Sequence, residues 1–499
     1  MSKMSRRKML GTVGASPVAA AAVSRQMMAN SASATSPTYK LVREIPVEEG
    51  YDLVVAGGGP AGVAVATCDA RLGAKVLLVE ATGCLGGMGT SGLVTSFAPN
   101  ADGEKMLVRG LMQEVIKTLY RRGFMPPDTH PDSWRKTHHV WVPFNPEGYK
   151  IVLDELVTKA GVEVCFFTQV IDVHADRERG TVDGVVLHNI EGYRYVRAKT
   201  FLDGTGDAVL AEMCGVTCRA AGHDTPGIMP PTLCSLCSGI DFTRFHDEPT
   251  FRPHRSQQDA VEQAVKDQFF TQPDLHLPGL FRTGASTASM NAGHLFNLDA
   301  LRCKNLTDGV MLGRRIAQEY VAFYRKYVPG CEKLEHAVTA PLVGIRESRR
   351  ILGEYELTVN DYQARRQFPN QIAVYAMAIH IHVYAATSDE YLRHRREMDG
   401  SRYHVGEFYG IPYGVLVPKG WKNLWVAGRC ISTDVKMHGS TRTQPAAIAM
   451  GQAVGAAAVQ SIRRRCDAGE VDTEQLVNTL RQAGAFLPQT TTTKTMTRG

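Results

Sequence analysis

The chain has 499 residues, enough for two or three domains, and its 44% hydrophobic content gives ample core. Its formal net charge of +6 is local, because Lys3, Arg6, Arg7, Lys8 and Arg25 lie in residues 1–34 without a single acid. The nearly neutral remainder argues against nucleic-acid binding, and eleven irregularly spaced cysteines argue against a disulfide framework.

In chain order, Ser5-Arg6-Arg7-Lys8-Met9-Leu10 precedes a weakly apolar, alanine-rich stretch to Val23 and then Ala32-Ser33-Ala34. This order resembles a twin-arginine export signal over residues 1–34, with cleavage after Ala22 or Ala34. An anchor is disfavoured because the apolar run is about 15 residues long and contains glycines and a proline, short of the ~20 that span a bilayer. A disordered basic tail would not explain the order of charge, apolar stretch and small residues. Twin-arginine export moves folded proteins, so the expectation is a periplasmic or secreted enzyme that takes up a bulky cofactor first. No later segment reads as a membrane span.

Leu53–Ala56 is an apolar run suited to a fully buried strand. Gly57, Gly59 and Gly62 follow at the spacing of a dinucleotide loop: Gly57 for the turn, Gly59 for approach to a pyrophosphate, Gly62 for helix packing. Pro60 and Ala61 open a helix running to Leu72, where Pro60 loses nothing because its missing N–H would be unpaired there. A second strand, 75–79, ends in Glu80, which lies 23 residues after Gly57 and is followed by Ala81. A carboxylate at that distance meets adenosine ribose hydroxyls.

A second glycine cluster begins at Gly83 and includes Leu85-Gly86-Gly87-Met88. A simple NAD site has no use for it, whereas a longer ligand lying along the chain needs side chains removed there. Together with Gly57–Gly62 and Glu80, this cluster resembles the FAD-dependent oxidoreductases of the glutathione-reductase structural class. The resemblance implies an α/β fold: a Rossmann-like FAD-binding domain of the two-dinucleotide-binding type with an inserted α+β substrate domain. It implies FAD as the cofactor, with Gly86, Gly87 and Met88 covering the pyrophosphate and ribityl chain.

Beyond this, helical spacing marks 105–122, and Asn145-Pro146-Glu147 caps a helix over 149–160 that stops at Gly161. Strands are expected at 162–167, 170–174, 182–188 and 194–199. They lead into Asp203-Gly204-Thr205-Gly206-Asp207, which in the family returns the chain to the flavin domain. Proline-rich 226–231 marks a boundary, giving FAD-binding segments at 45–225 and 405–465, a substrate or cap domain at 226–404, and a C-terminal helix and disordered tail at 466–499. Within the cap, a strand at 232–240 and helices at 259–268 and 308–327 are expected. A third family match runs from Tyr409 to Ser432 and includes Gly428 and Arg429. Gln444–Val459 then forms an alanine- and glycine-rich helix, whose positive N-terminal end, with Arg442, would face the flavin pyrimidine edge.

The candidate catalytic groups are His382, His438, Arg346 and Arg349. Arg346 and Arg349 precede Gly353-Glu354-Tyr355, expected as a strand, and could bind an anion; interdomain salt bridges are the duller alternative. His380 and His382 are expected on one face of a strand, with His382 as acid or base near the flavin. A metal there is disfavoured because no acid or cysteine completes the set. His438 sits in what reads as a loop, His438–Arg442, and is the second candidate base. Cys214, Cys218, Cys234 and Cys237 read as packing residues, whereas Cys84 and Cys430 lie in flavin loops as small residues, redox thiols or a flavin anchor. The expected function is hydride transfer between a small organic substrate and flavin N5, with an external electron donor or acceptor. The alternatives are a reductase of an anionic unsaturated acceptor fed by a partner, and a non-catalytic flavin- or ligand-binding protein.

Overall fold

The computed structural model describes residues 38–127, 129–245, 255–276, 279–398 and 402–489; the expected export signal and the end of the threonine-rich tail lie outside them. Residues up to Ile45 separate as a unit of their own, in which 38–45 carry no helix or strand. The body starts at Pro46.

Val47–Ala56 lies inside a seven-stranded sheet. On one side it pairs in parallel with Val76–Val79, which pairs in turn with Glu163–Cys165. On the other it pairs with Gly192–Asp203. Leu53, Val54, Val55 and Ala56 are fully buried, as a parallel strand covered on both faces requires. Gly192–Asp203 changes partner halfway along. Its first half closes an antiparallel meander with Thr181–Asn189 and Gln169–Asp176, and its last three residues pair in parallel with Leu424–Val426. The carboxyl ends Ala56, Val79, Asp203 and Val426 therefore converge on one edge, where α/β sheets bind ligands.

The Pro60–Arg71 helix packs behind that edge against the helix Gln444–Arg464. A Cβ on Gly451 would lie 2.3 Å from the Ala61 carbonyl oxygen, and one on Gly455 would lie 2.7 Å from that of Val65. The small residues let the two helices touch backbone to backbone. The second helix runs past the expected Val459 because no glycine or proline stops it before Arg465. By length and composition it could cross a bilayer, yet it is almost wholly buried as a core helix.

A second sheet, ordered Gly279–Arg282, Ala288–Asn291, Ser235–Ser238, Glu335–Thr339, packs with the helix Cys303–Tyr327 around a separate core. That core takes Leu233 to Val343, whereas Leu357, Ile372–Ile381 and Tyr403 pack in the main one. The later half of the expected 226–404 insert thus belongs with the first domain, because Gln371–Tyr375 pairs with Tyr409–Pro412 there.

Four local expectations change. His380 and His382 follow the strand Gln371–Tyr375 in irregular backbone. The segment read as a loop at His438 is the helix Val435–Thr441, capped by the Asp434 side chain. The strand after Arg346 is Arg349–Ile351, paired with Cys218–Ala220, and not Gly353-Glu354-Tyr355. The first long surface helix is confined to Leu111–Arg121, since Gly110 adopts a left-handed φ of 62°.

Gly451→Ala should destabilise the fold by about 1–3 kcal/mol through overpacking against Ala61. Gly469→Ala, with nothing within 4 Å of the added carbon, should be nearly neutral. Urea unfolding of the two variants checks the contrast.

Candidate active site

The loops leaving the sheet edge are bound to one another by backbone. Gly57 N donates to Val79 O at 2.8 Å, Gly204 N to Ala56 O at 2.8 Å, and Gly86 N to Gly58 O at 2.8 Å. Gly57 has φ +97°, and a Cβ there would sit 2.7 Å from Gly204 O; one on Gly62 would sit 1.9 Å from Gly57 O. Only hydrogen fits at either position. Gly59 differs, because the nearest atom to its added Cβ is 3.8 Å away, so its bare face is open. Glu80 is aimed by the same loops: Oε2 accepts from Gly58 N at 2.7 Å, and Oε1 accepts from Thr82 N and Oγ1 at 2.8 Å. A carboxylate has room for further donors after three bonds.

These loops wall a cavity of about 1090 Å³. Gly57, Gly59, Pro60, Ala61, Glu80, Ala81, Gly87, Met88, Gly206, Asp207, Gly428, Arg429, Arg442 and Gln444 all line it. Gly62, Gly86 and Asp203 stand behind the wall. Gly86 carries φ +98° at the turn, and Asp203 holds the next loop by accepting from Thr205 N at 3.0 Å and Ala211 N at 2.9 Å. Arg429 pairs with Asp207 and donates to Gly206 O at 2.8 Å and Ile345 O at 2.7 Å, which joins two loops. At the far end Gln444 donates to Val94 O at 3.0 Å, while its buried Oε1 has no partner.

The residues fit a long dinucleotide. Glu80 can take a ribose, and the open face of Gly59 before a helix amino end can take a pyrophosphate. The sequence pattern described as FAD dependent oxidoreductase matches residues 52–480. The chain belongs to that family. As an FAD-dependent oxidoreductase it has the expected α/β fold with a Rossmann-like region, and FAD is its cofactor. Over 107 residues it is 37% identical to a pseudooxynicotine dehydrogenase of Pseudomonas sp., a match covering 21% of this chain and 20% of that relative. A geranylgeranyl bacteriochlorophyll reductase-like protein from Thermoplasma acidophilum superposes with TM-score 0.40 at 13% identity, over 87% of this chain and 83% of its own. The L-proline dehydrogenase from P. horikoshii gives 0.41 at 11% identity, over 89% and 100%. At these scores neither structure bears on the chemistry of this oxidoreductase.

The rest of the cavity is cationic and imidazole-rich. Arg346 is buried in its wall, donating to Pro230 O and, at 3.0 Å, to Thr232 Oγ1. Arg442 donates to His380 O at 3.1 Å, and its buried Nε has no partner. Among the described residues neither guanidinium has a carboxylate at ion-pair distance. Burial pulls the Arg346 guanidinium down to about 10 and that of Arg442 to about 9, the latter helped by Arg346 and Arg429. His382, His380 and His276 line the same region.

Four of the residues singled out in the sequence lie elsewhere. His438 is fully buried behind the wall; its Nε2–H donates to Arg346 O at 2.8 Å, so it holds the arginine backbone and does not face the cavity. Arg349 does not line the cavity beside Arg346; it begins the strand Arg349–Ile351, after a bend at Ser348, and donates to Asp207 O at 3.3 Å. Cys430 is buried in the core under the sheet, and Cys84 sits against Ser91; neither lines the cavity, and all the described cysteines are free. Asp274, His276 and His294 were not legible as site residues, for no local motif marks them.

Glu80→Ala should weaken FAD binding roughly 10- to 100-fold, given the ~1.5–3 kcal/mol of a hydrogen bond to a charged group. Titration of apoprotein with FAD, followed by flavin fluorescence, measures it.

Proposed function

We propose that this oxidoreductase oxidises a small anionic organic molecule by hydride transfer to FAD N5, with Arg346 binding the anion and His382 accepting a proton. The observation that carries the reading is the pair of guanidiniums, Arg346 and Arg442, at the cavity wall without carboxylate partners. A buried charge left uncompensated is costly, so the wall is built for negative charge arriving from the cavity. Bound FAD supplies a two-electron acceptor whose ring gains negative charge. Arg442 and the amino end of Gln444–Arg464 would hold that ring, Gln444 its polar edge, and Gly57–Gly59 with Glu80 the remainder. Arg346 is then left for the substrate.

The neutral state of His382 supports the oxidative direction. Burial, then the charges of Arg346 and of His380, His276 and His294, hold its imidazole well below the usual histidine range, so it is neutral at pH 7. A neutral imidazole accepts a proton and has none to spare. In the oxidation the substrate loses a hydride with two electrons from carbon and a proton from its oxygen or nitrogen, the proton going to His382. The curated relative is itself a dehydrogenase.

A second reading, reduction of an anionic unsaturated acceptor with electrons from a partner, uses the same arginine. It needs an acid, for which Arg346, softened to about 10, is the available group. Anaerobic screening of alcohols, hydroxy acids, amino acids and unsaturated acids separates the two. Oxidation bleaches the flavin, and reduction restores the colour of chemically reduced flavin. Arg346→Met should raise the half-saturating concentration of a carboxylate substrate about 10- to 100-fold with flavin content unchanged. Equal bleaching of wild type and variant by the same carboxylate would refute the assignment.

We also propose export through the twin-arginine motif, supported by Arg6-Arg7 and the stretch that follows. Replacing both arginines with lysine should retain the protein in the cytoplasm on cell fractionation. Unchanged periplasmic recovery would exclude this route.

A further inference from the structure

His382 is the end of a buried polar chain. Asp274 precedes the strand Gly279–Arg282, His294 follows Ala288–Asn291, and His382 follows Gln371–Tyr375. All three side chains are buried. Asp274 Oδ2 lies 3.0 Å from His294 Nδ1, an ion-pair contact not aligned as a hydrogen bond, and accepts from the His294 backbone N at 3.3 Å; His294 Nε2 is hydrogen-bonded to His382 Nδ1 at 2.9 Å. Oδ1 of the same carboxylate accepts from the Tyr391 hydroxyl and from His276 N at 3.0 Å.

Asp274 is held below the usual carboxylate range: burial raises its carboxyl, but His294 and His276 beside it and the Tyr391 hydroxyl outweigh that. Burial in turn lowers the His294 imidazole in spite of the Asp274 charge, so His294 carries a single proton. A carboxylate 3.0 Å away repels a ring lone pair, which puts that proton on Nδ1 and leaves Nε2 with a lone pair. That lone pair must meet an N–H, which puts the His382 proton on Nδ1. His382 Nε2 is then the basic nitrogen, on a ring that lines the cavity.

We propose that Asp274 and His294 are positioning residues that form a relay, fixing His382 as the tautomer with Nε2 free and stabilising the imidazolium it becomes. This rests on the reading of His382 as the proton acceptor. When Nε2 takes the substrate proton, one N–H bond forms there and the substrate's O–H or N–H bond breaks. The positive charge is shared through the Nδ1–H of His382 toward His294 and is balanced by the Asp274 carboxylate, which keeps its ionised form. The Asp274 carboxylate offsets the groups that oppose that charge: Arg346, His380, His276 and His294 itself around His382, and His394 beside them. Without a carboxylate behind it, an imidazole in this company would be a very weak base. Tyr391 and Tyr320 are the other titratable groups near Asp274, and both are held protonated by burial and by its charge.

The ligand atoms of His276, His294 and His382 all lie within 4.8 Å of one another, which also fits a metal. The direct 2.9 Å nitrogen contact and the guanidinium of Arg346 beside the rings favour the relay over a dication.

The test uses FAD-loaded full-length protein labelled with nitrogen-15 histidine. Wild type should show two low-field imidazole N–H signals, each coupled to a histidine Nδ1. Asp274→Asn should remove the one belonging to His294, and His294→Gln should remove it and move the other. Absence of both signals in wild type overturns the relay without recourse to any variant. So does stoichiometric zinc, iron or copper with the signals appearing only after chelation, which would make the cluster a metal site. Where screening yields a substrate, Asp274→Asn should slow flavin bleaching at saturation by about 10²- to 10⁴-fold, the scale of acid–base catalysis, with the half-saturating concentration unchanged. Loss of affinity alone would mark Asp274 as merely structural. Failure of every substrate to bleach the flavin refutes the oxidation and leaves the spectroscopic result standing on its own.

Discussion

Bare backbone at the carboxyl edge of the sheet is the constraint on which the rest of the molecule depends. Gly57 and Gly204 approach so closely that a single carbon on Gly57 would strike the Gly204 carbonyl, and Gly62 touches Gly57 in the same way. These contacts bring the ends of Val47–Ala56 and Gly192–Asp203 into one surface, and Gly86 binds the second glycine loop to it through Gly58. The Gln444–Arg464 helix can then lie on Pro60–Arg71 without intervening side chains, which places its amino end and Gln444 at the far end of the same cavity. A cofactor cradle made from loops distant in sequence is stiff here because each loop is held by another loop's backbone.

The same cavity has an uneven charge balance. At the end walled by Gly57–Gly59 the loops supply a carboxylate, Glu80, and Arg429 is neutralised by Asp207. At the opposite end Arg346 and Arg442 have no such partner, and histidines replace the acids that would ordinarily accompany buried arginines. Asp274, one layer behind, faces His294 and not the guanidiniums. The fold bears the cost of desolvating two cations where negative charge can enter, and burial first, then that positive field, holds the imidazoles around them well below the usual histidine range.

What could be read from the sequence follows how locally each feature is encoded. The strand–glycine–helix–strand–acid unit from Leu53 to Glu80 is contiguous, and its residue types are dictated by backbone sterics, so fold class and cofactor were legible from it. The same holds for the cap on Asn145, whose Oδ1 accepts from Gly148 N at 2.9 Å. Side-chain direction was not legible. His438 lies beside the flavin loops as expected, but the helix Val435–Thr441 turns it into the wall behind Arg346. Arg349 was paired with Arg346 by spacing, and the bend at Ser348 before the strand Arg349–Ile351 intervenes between them.

The histidine cluster shows the limit most clearly. His294 and His382 are 88 residues apart and hydrogen-bonded, and they come from the cap core and the main core respectively. Their meeting depends on where the second sheet docks on the first domain, which no periodicity or motif encodes. The rings of His380 and His382 still lie 4.6 Å apart, as a strand would have placed them, although the segment is irregular. Irregular backbone suits this position. In a strand the His380 carbonyl would go to a ladder partner, whereas here Arg442 binds it while both imidazoles line the cavity. The groups proposed to act on a substrate thus sit on the seam between two cores, where the chain is free of the sheet ladder and each side chain is positioned by its partners.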